Sequence, residues 1–372
     1  MRFKSLDFLR GVAVLLVITN HFFPGYVSTH VFWTGVDLFF VLSGFFVSGI
    51  LFREKVKRGT MHAGRFFMRR VFKIWPLFYT AFIIQFLYLH IKHRPPPPSQ
   101  VTSELFFVQN YRPGFMQVTW SLGIEEQFYV LVAILLPLIA RFGKIKWIAS
   151  GCILVMILSL GLRIIHYSFF PRYNPYTHQY PLQFRADSLS AGVLISYYYH
   201  FHFEKFKQWV SRKAVWLFCL PIIFLLPVFI FPYSSKWILT IGFTTTWLAY
   251  AAIVMLLAIL PLDKGRWNYF FNENRLALSV AWVGFYSYAI YLFHFFIGPG
   301  ILNNFRRYVW TRPPLFIQFV IFLLADILFG YIISRLIEQP VLRWRNRVFL
   351  PKTAQLGLKF FRNFLARFSE KI

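Results

Sequence analysis

Acidic residues are scarce in this chain of 372 residues: 13 Asp and Glu stand against 40 Lys and Arg, a formal charge of +27. Charge of either sign is thin, at 14% of residues, where a soluble globular domain carries roughly 25%. Cysteine is nearly absent. The two, Cys152 and Cys219, fall in apolar stretches and read as small core residues, implying neither a disulfide nor a metal site. There is no internal repeat, and Pro95 to Pro98 form a short polyproline segment that reads as a spacer. What abounds is apolar: 58% of residues are hydrophobic and 22% aromatic, with 48 Phe. Disorder is excluded, since disordered chains are poor in such residues. A soluble enzyme is disfavoured, because the long apolar runs would have no water-facing side. A nucleic-acid partner would account for the positive charge but not for the Phe and Leu runs. An integral membrane protein remains, with the lipid bilayer as its first partner.

A helix crosses the roughly 30 Å hydrocarbon core in about 20 residues. Ten stretches have that length: 6–24, 33–52, 74–91, 120–140, 147–167, 186–203, 214–231, 237–262, 276–301 and 315–337. The first carries Arg10 inside it and no small-residue cleavage site, so it reads as a retained span and not a signal peptide. With the N-terminus cytoplasmic, the inner segments hold 29 Lys and Arg and the outer segments 10. That bias predicts an all-α bundle of about ten transmembrane helices with both termini inside. Most of the +27 is thereby explained by topology and attraction to anionic lipid. Residues 1–344 read as one membrane domain and 345–372 as a basic amphipathic cytoplasmic tail, with Leu358, Phe361, Leu365 and Phe368 at helical spacing. The residues after the last span are too few for a further catalytic domain.

Ionisable groups inside apolar spans are costly and therefore candidates for function. They are Asp7, Arg10, His21, Asp37, Glu125, Glu126, Arg163, Asp187, His294 and Asp326. Arg10 and His21 lie eleven residues apart, three turns plus about 20°, so they share a helix face about 16 Å apart along the axis. Asp37, Glu125, Glu126, Asp187 and His294 fall at the depth of His21, toward the outside. Ser287, Tyr291 and His294 share a face at i, i+4, i+7. Arg69, Arg70 and Lys73 stand near the depth of Arg10, just before Pro76 at the start of the third span. An inner cationic cluster suits a phosphorylated ligand, and an outer set of carboxylates and imidazoles suits general acid–base chemistry. The arrangement suggests a charged donor inside and a substrate reached from outside.

Seven ordered motifs then resemble the acyltransferase-3 family, integral-membrane enzymes that O-acylate bacterial surface and secreted sugars. LDFLRGVAVLLVITNHFF carries its R-x10-H pattern as Arg10 and His21. GVDLFFVLSGFFVSGIL (Gly35, Asp37, Ser43, Gly44) and FFMRRVFKIWPLFY follow. TWSLGIEEQFY is similar to its WSL-x-x-E-x-Q-F-Y signature through Trp120, Ser121, Glu125, Gln127 and Tyr129. FRADSLSAGVL (Arg185, Asp187), SYAIYLFH and IEQPVLRW (Glu338, Pro340) complete the series. One position departs: the family's R-x-x-R reads Arg70-Val71-Phe72-Lys73 here. Lys keeps the charge but loses the fork, and Arg69 is placed to compensate.

The resemblance implies an acyl-CoA donor, acetyl-CoA in the first instance, bound from the cytoplasm with its phosphates near Arg10, Arg69, Arg70 and Lys73. His21 is then general base on an acceptor hydroxyl or takes the acyl group in a relay, and Glu125 orients it or stabilises its cationic form. Asp37, Glu126 and His294 are weaker candidates on the substrate side, and Arg185 with Asp187 is expected as a structural pair. The expected acceptor is a surface polysaccharide or lipid-linked sugar, reached directly or through a periplasmic or membrane partner protein. The expected location is the bacterial inner membrane. Two alternatives stay open: a transporter or flippase for a lipid-linked sugar, and a succinyl-CoA donor held by Arg163, Arg172 or Arg185. No metal is expected, since His200 with His202 and His90 with His93 lack a third ligand.

Overall fold

A computed structural model describes residues 4–23, 31–260 and 265–349; the amphipathic stretch Lys359–Lys371 lies outside them. Every regular element among the described residues is helical. In chain order they begin with α1 (Lys4–Phe22), α2 (Gly35–Arg58), α3 (Ala63–Ile91), α4 (Pro98–Leu105), α5 (Trp120–Arg141), α6 (Trp147–Phe169), α7 (Pro175–His178) and α8 (Ala186–Phe201). They continue with α9 (Phe203–Arg212), α10 (Ala214–Ile230), α11 (Phe243–Ala258), α12 (Gly265–Asn272), α13 (Arg275–Phe285), α14 (Ser287–Tyr308), α15 (Leu315–Ile333) and α16 (Gln339–Phe349). Seven of the described helical stretches are long and apolar enough to cross a membrane, or nine if α9 with α10 and α13 with α14 each make one crossing. Of the ten stretches expected, 186–203 is the exception by length: α8 has 16 residues, about 24 Å of rise.

Three boundaries depart from the sequence expectation in ways that place the site. α3 begins at Ala63, eleven residues before the expected start, so Arg65, Arg69, Arg70 and Lys73 stand on a helix and not on a loop. Pro76 lies inside it, where the missing N–H leaves only one intrahelical bond unmade. The stretch 276–301 is broken at Tyr286, where α13 and α14 meet at a 78° bend. The last span passes through a π-helical turn, Ser334–Glu338, before α16. Pro98, expected in a spacer, occupies the first turn of α4, a position where proline's missing donor costs nothing.

Two crossings set the core. α2 and α8 meet at Gly44 and Gly192, where an added methyl on Gly192 would lie 2.1 Å from the Val41 carbonyl oxygen. α1 and α13 meet at Gly284, where the same addition would lie 1.8 Å from the Asp7 carbonyl. Only glycine allows backbones this close, which is how membrane helices gain packing contacts without a hydrophobic driving force.

Beside the first crossing lies a buried ion-pair cluster, paired differently from expectation. Arg185 does not bond Asp187; its Nη2 donates to Asp37 Oδ1 at 2.6 Å, tying α8 to α2. Asp187 is held by Arg163 of α6 at 2.7 Å, by Trp247 Nε1 of α11 at 2.8 Å and by the Ser188 amide at 2.9 Å. Arg163 also donates to the carbonyls of Thr240 and Phe184 and to Thr244 Oγ1. Arg163 and Arg185, two of the three cations considered for a dicarboxyl donor, are thus committed to fold ion pairs. Asp326 likewise ties helices together, accepting from the Gly298 amide of α14 at 2.8 Å.

Candidate active site

A cavity of ≈ 1160 Å³ is bounded by α1, α2, α3, α5, α13, α14 and α16. On α2 its lining runs from Arg53 to Val36, about 25 Å of helix. The Arg53 end is cationic. Arg10, Arg53, Arg65, Arg69, Arg70, Lys73 and Arg345 line the cavity, against the carboxylates Asp7 and Glu125. The middle is apolar, with Phe40, Phe46, Val47, Ile50 and Ile74. The far end is closed by Val36, Phe39, Ser121, Leu122 and Tyr291.

The seven cations are not equivalent. Lys73 is bonded to Glu338, which the π-helical turn aims at α3 and which also accepts from Ser334 Oγ at 2.6 Å. The expected phosphate contact at Lys73 is therefore partly neutralised. Arg65 pairs with Glu54. Arg345 donates to the Arg69 carbonyl at 3.2 Å, fixing the two beside each other. Arg70 lies over the Tyr129 ring, 5.5 Å from its centroid, and its buried Nε has no partner. Sequence reading singled out Arg10, Arg69 and Arg70; it gave no signal for Arg53 or Arg345, which look like ordinary loop charges.

The neighbouring acids Glu125 and Glu126 face different ways, as successive helical residues must. Glu125 lines the cavity and accepts from the Tyr129 hydroxyl, which lies 3.3 Å from Ser43 Oγ. Glu126 is buried against α3, accepting from Trp75 Nε1 at 3.2 Å, and does not line the cavity. Gln127 anchors the preceding loop, donating to Asn110 Oδ1 at 2.7 Å and to the Phe107 carbonyl at 2.8 Å. Asp37, committed to Arg185, also stands outside the lining. On the neighbouring α4, Glu104, outside the spans, accepts from the Met116 amide and Thr119 Oγ1. Burial pushes its carboxyl up to about 8.

His21 meets a histidine, and not Glu125. His294 Nε2 lies 3.2 Å from His21 Nδ1, and the rings make an edge contact with centroids 4.8 Å apart. The tautomers follow from the partners. His294 Nδ1 is 2.6 Å from the Tyr291 carbonyl, which can only accept, so this nitrogen donates. In the neutral ring Nε2 is then the acceptor, and His21 Nδ1 must be the donor, shared with the Val17 carbonyl at 2.9 Å. That leaves the His21 Nε2 lone pair available to take a proton. His294, expected on the substrate side, is fully buried and orients His21. Ser287 and Tyr291 of the same stripe do line the cavity.

Comparison with known proteins places the chain. The family profile described as an acyltransferase domain, the acyltransferase-3 type, matches residues 3–335. The O-acetyltransferase OatA of Staphylococcus aureus strain NCTC 8325 is 26% identical over 371 residues, covering 94% of this chain and 59% of that protein. The OatA of strain COL matches to the same extent. The chain thus spans about three fifths of these relatives. No solved structure matches.

Proposed function

The chain belongs to the acyltransferase-3 family, and on that footing we propose that it is a membrane O-acetyltransferase. It takes an acetyl group from cytoplasmic acetyl-CoA and delivers it to a hydroxyl of a surface or lipid-linked glycan. The observation that carries the reading is the cavity: a cationic mouth, an apolar barrel and a blind end adjoining the His21–His294 pair. The nucleotide phosphates fit the mouth, where Arg69, Arg70, Arg53 and Arg345 offer guanidinium forks. The pantetheine arm follows Phe46, Val47 and Phe40 toward Ser121, bringing the thioester to the blind end.

His21 Nε2 then removes the proton of the acceptor hydroxyl as its oxygen attacks the thioester carbonyl. The C–S bond breaks, and the departing thiolate takes up that proton from the imidazolium. General-base assistance of this kind contributes about 10²–10⁴-fold. His294 keeps the base nitrogen pointed at the reaction, the part played by the carboxylate in a hydrolase triad. Glu125, beside Arg10 and Arg70 in the lining, balances the cationic wall and holds Tyr129.

The Lys and Arg bias of 29 to 10 supports a cytoplasmic mouth, about ten spans with both termini inside, and residence in the bacterial inner membrane. The likeness to the OatA O-acetyltransferases supports acetyl as the group and oxygen as the acceptor atom. The test is release of free coenzyme A from acetyl-CoA by the purified protein in the presence of surface polysaccharide. Acetyl transfer lost in His21→Ala, with coenzyme A binding retained, is the expected result. Wild-type protein that leaves acetyl-CoA intact would favour a sugar transporter instead.

A further inference from the structure

We propose that Tyr291 is a movable partition between the donor cavity and the His21–His294 pair, shutting the donor thioester off from water until acceptor is in place. The proposal rests on the acyl-CoA reading above and assigns Tyr291 and Ser121 a job within it.

The partition is built from a hydrogen-bonded string across three elements. Ser121 Oγ lies 2.6 Å from the Tyr291 hydroxyl, which in turn donates to the Val118 carbonyl at 2.9 Å. A tyrosine hydroxyl has one proton and here gives it to a carbonyl, so Ser121 is the donor in the first contact. Phe39 packs edge-on against the Tyr291 ring, with centroids 6.0 Å apart. Ser121, Tyr291 and Phe39 all line the large cavity, while Val118 lines a second cavity of ≈ 200 Å³. That second cavity is also walled by Phe295, whose ring meets His21 edge-on at 5.9 Å.

His21 lines neither cavity, and the Tyr291 ring packs on His294 with centroids 5.6 Å apart. A thioester at the blind end therefore faces the Tyr291 ring, with the histidine pair behind it. For transfer the ring must swing aside, breaking both of its hydroxyl contacts. While the ring is latched, water reaching His21 from the small cavity has no path to the thioester. Unlatched, water takes the place of the acceptor: its oxygen bonds to the acyl carbon, the C–S bond breaks, one of its protons passes to the thiolate, the other is released to solvent, and acetate and free coenzyme A leave.

Tyr291→Phe keeps the ring and removes the latch. Purified full chain in nanodiscs, given acetyl-CoA, is assayed for coenzyme A release without acceptor and for acetyl transfer to extracted surface polysaccharide. The ratio of hydrolysis to transfer is expected to rise at least about tenfold in Tyr291→Phe, the shift in open population from losing both hydroxyl contacts. Ser121→Ala, which leaves the Val118 bond in place, is expected to give a smaller rise. If Tyr291→Phe does not fold, Ser121→Ala alone carries the test. A ratio unchanged in folded variants overturns the partition.

A second readout does not depend on turnover. With Cys152 and Cys219 replaced by Ala, Ser43→Cys in proteoliposomes is treated with an impermeant thiol reagent from each face in turn. With Tyr291 intact, labelling is expected from one face only; with Tyr291→Phe added, from both. Labelling from both faces with Tyr291 intact overturns the partition whatever the donor proves to be. Intact acetyl-CoA with one-sided labelling overturns the acyl-CoA reading alone.

Discussion

Lys73 and Arg70 sit one turn apart on α3 and look alike in sequence, yet their partners separate them. Arg70 lines the cavity with an unpartnered Nε, so Arg70→Ala should weaken coenzyme A binding. The loss of a charged hydrogen bond predicts about 10- to 100-fold by calorimetry. Lys73 is bonded to the buried Glu338. Lys73→Ala should instead lower the melting temperature, with the coenzyme A dissociation constant changed by less than about threefold. Glu104 offers a pH test. Its carboxyl is held at about 8 in the fold, above its unfolded range, so its contribution is complete below about pH 4.5 and is lost as pH rises through 8. Thermal stability in detergent should fall over that window, and Glu104→Gln should flatten the fall.

Residue by residue, the sequence singled out Arg10, His21 and Glu125 as candidates because helical periodicity and membrane cost act locally. It could not carry their partners. His294 reaches His21 only because the chain bends by 78° at Tyr286, and Glu338 reaches Lys73 only because a π turn alters the helix phase. Neither feature has a local signal of the strength of a buried charge.

At the scale of elements, the ion-pair cluster binds α2, α6, α8 and α11 where an apolar bundle would otherwise slide. Arg163 and Asp187 are both 1% exposed, so Arg163→Ala should cost about 3–5 kcal/mol by leaving a buried carboxylate uncompensated. The pair Arg163→Met with Asp187→Leu should recover most of that loss, as read by thermal denaturation. The glycine crossings are less forgiving. Gly192→Leu would drive a side chain into the Val41 carbonyl and should abolish folded protein in detergent extracts. Sequence spacing identified these helices but not their crossed ion pairing, because Arg185 and Asp187 are neighbours in the chain while their partners come from α2 and α6.

At the scale of the whole molecule, most of the 40 Lys and Arg lie outside the cavity lining, and among the described residues seven cations face it. The helical class and the family were legible from composition and ordered motifs. The number of crossings was less so, since α8 is short and two apolar stretches belong to bent helix pairs. Central to the proposed function is that a donor entering at the cationic mouth is consumed beside the far end of that cavity, by His21 behind the Tyr291 ring. The direct measurement is radiolabelled acetyl transfer from acetyl-CoA to extracted polysaccharide by purified wild-type and His21→Ala proteins, with coenzyme A affinity measured on both. Equal affinity with at least about a hundredfold loss of transfer is predicted; undiminished transfer in His21→Ala would contradict it.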